Sequence, residues 1–244
     1  MDIKTLGIDI AKNVFELHGV DANGKTVLKK RLTRDKLPEV IAQIPACLLG
    51  MEACGGSHHW ARKFKAMGHD VRLMNPQFVK PYVKSNKNDS QDAEAICEAV
   101  QRPSMRFVGM KNIEQQDVLA IHRVRDRLVK ERTAIVNQIR GLLMEYGIAI
   151  AQGVLQIRKK LAAIIEDAEN ELSPLGRELF SDLQAQFYAI DDKVGEYDMK
   201  IAKLCRQDET CQRLTQLQGV GALTATALYP ARSQIEVFLS EAIC

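Results

Sequence analysis

The chain has 244 residues, enough for one large domain or two modest ones with a real core. Its 46% hydrophobic and 27% charged residues exclude a globally disordered polymer. Its 34 basic and 31 acidic residues nearly cancel, so a net charge of +3 does not by itself identify a nucleic-acid binder, and the placement of charge has to decide.

The opening MDIKTLGIDIAKNVFEL carries acids among its apolar residues and no uninterrupted hydrophobic run, unlike a signal peptide. No segment approaches the roughly 20 apolar residues of a membrane span. Cys47, Cys54, Cys97, Cys205, Cys211 and Cys244 form no C-x-x-C pair and lack a histidine at zinc spacing. They fit small buried hydrophobes in a reducing compartment. A cytoplasmic protein without membrane contact is expected.

In chain order, Ile3 to Ile10 (IKTLGIDI) and Asn13 to Val20 (NVFELHGV) are β-rich. The turn signal Asp21-Ala22-Asn23-Gly24 leads to a third run, Lys25 to Leu32, which predicts an antiparallel meander. Thr33 or Asp35 caps a helix running to about Ile44, with Pro38 tolerated in its first turn. Ala46 to Glu52 reads as a short buried parallel strand. Ser57 caps the next helix, which stops at Gly68. His69 to Asn75 is a fifth strand, and a looser segment leads into a helix from about Ser90 to Gln101. The order β-β-β-α-β-α-β-α is that of a ribonuclease H-like fold.

From about Asn112 the texture turns helical. Apolar pairs recur every seven residues at Ile121-His122, Leu128-Val129, Ile135-Val136 and Leu142-Leu143. That pattern is a coiled-coil-like seam. Gly147 to Gly153 interrupts it. A second seam steps through Phe187, Ile190, Val194, Tyr197, Ile201 and Leu204. An intramolecular hairpin and a dimer contact both satisfy these seams. Arg123, Arg125, Arg127, Lys130, Arg132 and Arg140 make the first long helix basic, either as a solvated face or as a phosphate-facing surface.

Four acids stand out by where the predicted fold puts them. Asp9 lies in the first strand between Ile8 and Ile10, where a carboxylate is costly unless paired or metal-bound. Glu52 ends the strand expected beside it. Asp89 and Asp92 share one face at the start of the following helix, where the helix dipole favours negative charge. Taken singly, Asp89 reads as an N-cap, Asp92 as a first-turn acid and Glu52 as a loop acid. Together they supply oxygen ligands from three elements, which suits Mg²⁺ and metal-assisted phosphodiester chemistry.

At these residues the chain resembles a known family. The strings GIDIAK (7–12), MEACGGSHHWAR (51–62), NPQFVKPYVKSNKNDSQDAEAI (75–96), RLVKERTAIVNQIRGLLMEYGI (127–148) and LQGVGALTATAL (217–228) look like the insertion-sequence one-ten family. These are the DEDD transposases, with the pilin-gene invertase Piv as a relative. The resemblance implies a RuvC-like amino-terminal domain (1–108) whose carboxylates, here Asp9, Glu52, Asp89 and Asp92, bind Mg²⁺. It further implies a helical coiled-coil region (109–208) and a carboxy-terminal transposase domain (209–244), opening on a turn at Gly219 to Gly221. That turn is similar to a helix-hairpin-helix loop that contacts phosphate. The implied partners are DNA, a structured non-coding bridge RNA, and further copies of the chain in a dimer or tetramer. Family members use a carboxy-terminal serine as covalent nucleophile. Ser233 and Ser240 do not stand in the family's Gly/Ser-rich context, so neither takes that role, and the carboxy-terminal domain is expected to be incomplete. On that expectation, the other reading is a non-catalytic chain that pairs with full-length transposase and modulates it.

Two further enzyme readings are weaker. GIDIAK also resembles the phosphate loop of actin-like sugar kinases, but Ala11 and Lys12 stand where a glycine and a hydroxyl residue are needed. Nucleophilic catalysis by Cys54 beside His58 and His59 has proximity in sequence and no predicted geometry.

Overall fold

The computed structural model describes residues 2–83 and 89–229, with the side chains of 89 and 90 excepted. The chain divides into two compact units, Met1–Asn112 and Ile113–Cys244.

The first unit is built on a six-stranded sheet among the described residues. β1 (Thr5–Ile10) pairs antiparallel with β2 (Val14–Val20), and β2 with β3 (Thr26–Thr33). The β2–β3 turn closes where the Asp21 carboxylate accepts from the amides of Asn23 and Lys25, both at 2.9 Å. Gly24 takes φ +77° there, a conformation open to glycine and costly for other residues. α1 (Leu37–Ala42) returns the chain to β4 (Leu48–Glu52), parallel to β1. α2 (Ser57–Ala66) leads to β5 (Asp70–Met74), parallel to β4. α3 (Pro76–Val79), capped by Asn75, and a 3₁₀ turn (Lys80–Tyr82) precede α4 (Asp89–Ala99). β6 (Phe107–Val108) closes the order β3-β2-β1-β4-β5-β6. A meander joined to two parallel crossovers gives a mixed α/β unit, consistent with a ribonuclease H-like domain.

Strand alternation sorts the two faces. Leu6, Ile8, Leu49 and Met51 pack with Leu37, Ile41, Trp60 and Phe64 under α1 and α2. Gly7 and Gly50, opposed in the β1–β4 register, face α4 on the other side.

Three expectations shift. α1 starts at Leu37 and lacks a side-chain cap, so neither Thr33 nor Asp35 caps it. Gly56, at φ +88°, takes the N-cap place of α2, and the Ser57 hydroxyl instead donates to the Cys54 carbonyl at 2.8 Å. β6 is an addition to the expected order, because two residues are too few to show a period.

In the second unit, α5 (Ile113–Met144), α6 (Val154–Glu166) and α7 (Pro174–Gln207) are followed by α8 (Glu209–Leu214) and α9 (Ala222–Leu228). The two apolar seams meet each other: Ile135, Val136, Ile139 and Leu143 pack with Phe180, Leu183 and Phe187 in one buried cluster. Ion pairs flank the seam. Asp191 of α7 accepts from Arg132 at 2.6 Å and lies 2.8 Å from Arg158 of α6, so one carboxylate joins three helices.

Phe187 is fully buried in that seam. Phe187→Ala is expected to cost about 3–5 kcal/mol in denaturant unfolding, against less than about 0.5 kcal/mol for Met199→Ala, which lies 67% exposed on the same helix.

Candidate metal centre

Asp9 and Glu52 occupy the carboxyl ends of neighbouring parallel strands. Ile8 is opposite Met51 at the last paired position between β1 and β4, so each acid directly follows it. Both are half-buried, and both share the strand parity of Gly7 and Gly50, which places them on the α4 face. Asp92 lies in the first turn of α4, half-buried. Asp89 is the first residue of that helix; its side chain lies outside the described residues.

The approach of α4 depends on the two glycines. A Cβ at Gly7 would run into the Ala93 carbonyl and stand 2.5 Å from the Cys97 amide. A Cβ at Gly50 would stand 2.8 Å from the Val100 Cβ. With no side chain at either position, the α4 backbone lies directly on the sheet, and its acidic first turn is set beside the strand ends.

The electrostatics show which acids are close. Burial pushes the Glu52 carboxyl above its ordinary value, and the charges of Asp9 and Asp92 push it further in the same direction. Glu52 of β4 therefore feels the charges of acids on β1 and α4. These acids stop short of a closed ligand set: among the described residues, no three His, Cys, Asp or Glu side chains are close enough to hold a metal ion.

A fifth acid joins the neighbourhood without having stood out in the sequence. Glu16 of β2 lies directly across from Asp9 in the antiparallel register. Its cross-strand neighbour Arg31 sits 3.4 Å away and balances its charge. The alternation in VFELHGV is the available signal, since it puts Glu16 and His18 on the face opposite Phe15 and Leu17.

The Cys54 thiol is raised by burial and then by Glu52 and Asp9, so it stays protonated at neutral pH. His58 accepts the Lys111 amide on Nδ1 at 3.2 Å, and its pKa falls to about 4 through burial, Lys111 and Arg62. Arg62 donates to the Lys111 carbonyl at 2.7 Å. His58 and Arg62 thus clamp the chain as it leaves the sheet, and no nucleophile–base pair forms.

The basic residues of α5 divide. Arg125 is ion-paired with Asp198, Arg132 with Asp191, and Arg140 donates to the Ile150 carbonyl at 3.1 Å; these three brace the helical unit. Arg127 is exposed and pairs with Glu131, while Arg123 and Lys130 are exposed. Gly219 takes φ +84° in the turn between α8 and α9, and Gly221 is the N-cap of α9. Ser233 and Ser240 lie outside the described residues.

Gly7→Ala tests the helix approach. It is expected to destabilise the protein by about 1–3 kcal/mol, as overpacking against backbone does, whereas Gly55→Ala, at a position with open space, is expected to change thermal unfolding little.

Comparison with known proteins identifies the family. The profile of the IS110 DEDD transposases, described as "Transposase", matches residues 6–148. The transposase for insertion sequence element IS1111A of Coxiella burnetii is 44% identical over 97% of this chain and 65% of its own length. A probable family 20 transposase of Pseudomonas aeruginosa is 43% identical over 93% of this chain and 68% of its own. The transposase for insertion sequence element IS1328 of Yersinia enterocolitica is 42% identical over 93% and 67%. This chain spans about two thirds of the length of these relatives. With the profile matching more than half of its residues, the chain belongs to the IS110 family of DEDD transposases.

Proposed function

We propose that the first unit is the metal-dependent half of a DNA-rearranging enzyme, with Asp9, Glu52, Asp89 and Asp92 as its ligands. The observation that carries this reading is the raised Glu52 carboxyl, crowded by Asp9 and Asp92 at one edge of the sheet. Carboxylate crowding is costly, and these acids offer oxygen donors that suit Mg²⁺. When bound, such an ion supplies activation of a hydroxyl nucleophile and neutralises charge on phosphate oxygens. The chain's own residues set the geometry. β1 and β4 fix Asp9 and Glu52, while α4, seated by Gly7 and Gly50, aims Asp92 at them and starts at Asp89.

The substrate in this reading is DNA, directed by a structured bridge RNA, with DNA strand cleavage and exchange as the reaction. The helical region brings copies of the chain together as a dimer or tetramer. Exposed Arg123, Arg127 and Lys130 are the part of α5 open to phosphate. The Gly219–Gly221 turn contributes backbone amides at the start of the carboxy-terminal domain.

Calorimetric titration with Mg²⁺ or Mn²⁺ tests the centre. Asp9→Asn or Asp92→Asn is expected to weaken binding by roughly tenfold or more, as loss of a carboxylate ligand does. Unchanged affinity in both variants would remove the metal reading.

A further inference from the structure

The sheet edge at which β1 and β4 end carries a second charged feature that the acids do not explain. Lys12 lies in the β1–β2 turn, Arg34 follows directly after β3, and His59 and Lys63 stand four residues apart on α2. All four side chains are exposed. β1 and β3 run in the same direction, each antiparallel to β2, and β4 is parallel to β1, so these residues gather along one edge. The backbone fixes the gathering: the Arg34 amide donates to the Asn13 carbonyl at 3.0 Å, and its guanidinium to the Lys12 carbonyl at 3.3 Å.

Beneath the cations lies a rigid floor. The Arg34 guanidinium stands 5.2 Å and the Lys63 ammonium 5.5 Å from the centre of the Trp60 ring. That ring is buried, stacked on Phe64 and met edge-on by Phe15. Among the described residues its indole N–H has no hydrogen-bond partner. The aromatic floor holds two positive charges up at the edge.

Those charges are not neutralised locally. Among the described residues, Lys12, Arg34 and Lys63 take part in no salt bridge, whereas Lys29 and Arg31 on the adjoining strand are paired with Glu94 and Glu16. The His59 imidazole is lowered by burial and then by Arg62, Lys63 and Arg34, with no acid offsetting them. Nor do the site's acids serve as partners. Asp9 and Glu52 have the parity of the α4 face, while Trp60 packs on the opposite face. Acids and cations share an edge and look to opposite sides of it. A polyanion draped over that edge meets both: one phosphate at the acids, its neighbours on the cations.

We propose that Lys12, Arg34 and Lys63 form a track for the phosphodiester backbone of the DNA strand presented to the acidic centre. The inference rests on the functional reading above for its strand and goes beyond it in naming the surface. DNA is the occupant because the acids it adjoins are read as acting on DNA.

The test is DNA binding by the full chain in EDTA, read by fluorescence anisotropy across a salt series with a labelled duplex oligonucleotide. Arg34→Glu with Lys63→Glu is expected to lower affinity at least tenfold and to flatten the dependence of log K on log salt by about 0.9 for each phosphate no longer neutralised. Lys25→Glu, at an exposed turn elsewhere on the sheet, is expected to leave both unchanged. Trp60 is the only tryptophan in the chain, so its emission checks that α2 is intact in each variant. If the double reversal unfolds, Arg34→Gln with Lys63→Gln, which keeps aliphatic stems over Trp60, is expected to move affinity in the same direction. Wild-type affinity and slope in a folded variant would overturn the proposal. So would no DNA binding by the wild-type chain, or a reduction seen solely with an RNA oligonucleotide of equal length. Because EDTA removes the metal, failure of the metal centre in calorimetry leaves this result standing, and the two failures are distinguishable.

Discussion

The close contact between α4 and the centre of the sheet is the constraint on which the rest of the first unit depends. Two glycines are opposed in a parallel pair: Gly7 lets the α4 backbone lie where a side chain would hold it off, and Gly50 makes room for the Val100 side chain just past the helix end. Closeness at that point fixes the position of the helix start, and with it the acids that start carries. The same residues that make the sheet easy to cover therefore make the acidic edge possible. Two strand positions with no side chain to pack give up local stability for that approach.

The acids around this edge differ in what surrounds them. Glu16, opposite Asp9, has Arg31; Glu94 of α4 lies near Lys29 and His18 of the meander. Glu52 is raised by burial and then by the charges of Asp9 and Asp92. Such local frustration inside an otherwise consistent fold is where function is to be sought. The cations held over Trp60 add positive charge along the same edge. The helical unit contrasts with both, since its Arg132, Arg158 and Asp191 neutralise one another across three helices.

Much of this is legible in the residues alone. Alternation in GIDI and NVFEL, a turn at Asp21–Gly24 and short apolar runs before Glu52 and Asn75 lead to the meander and its two crossovers. The heptad spacing of α5 and the seam from Phe187 locate the faces that pack, but periodicity does not say what a seam packs against. Only the tertiary structure shows each seam meeting the other. The cap expected at Ser57 fails because the sharp turn after Glu52 needs a positive φ, which Gly56 provides, and the serine hydroxyl is used to close that turn. The pairing of Arg125 and Arg132 is hidden in the sequence because their partners, Asp198 and Asp191, are distant along the chain. Glu16 is hidden for the related reason that cross-strand register is set by tertiary pairing.

A site-resolved carboxyl titration measures the convergence of acids from β1, β4 and α4 most directly. Followed by carbon NMR in metal-free protein, Glu52 is expected to titrate above the usual 4.5 and to move back toward it in Asp9→Asn. A Glu52 midpoint at the ordinary value, unmoved by that substitution, would contradict the convergence.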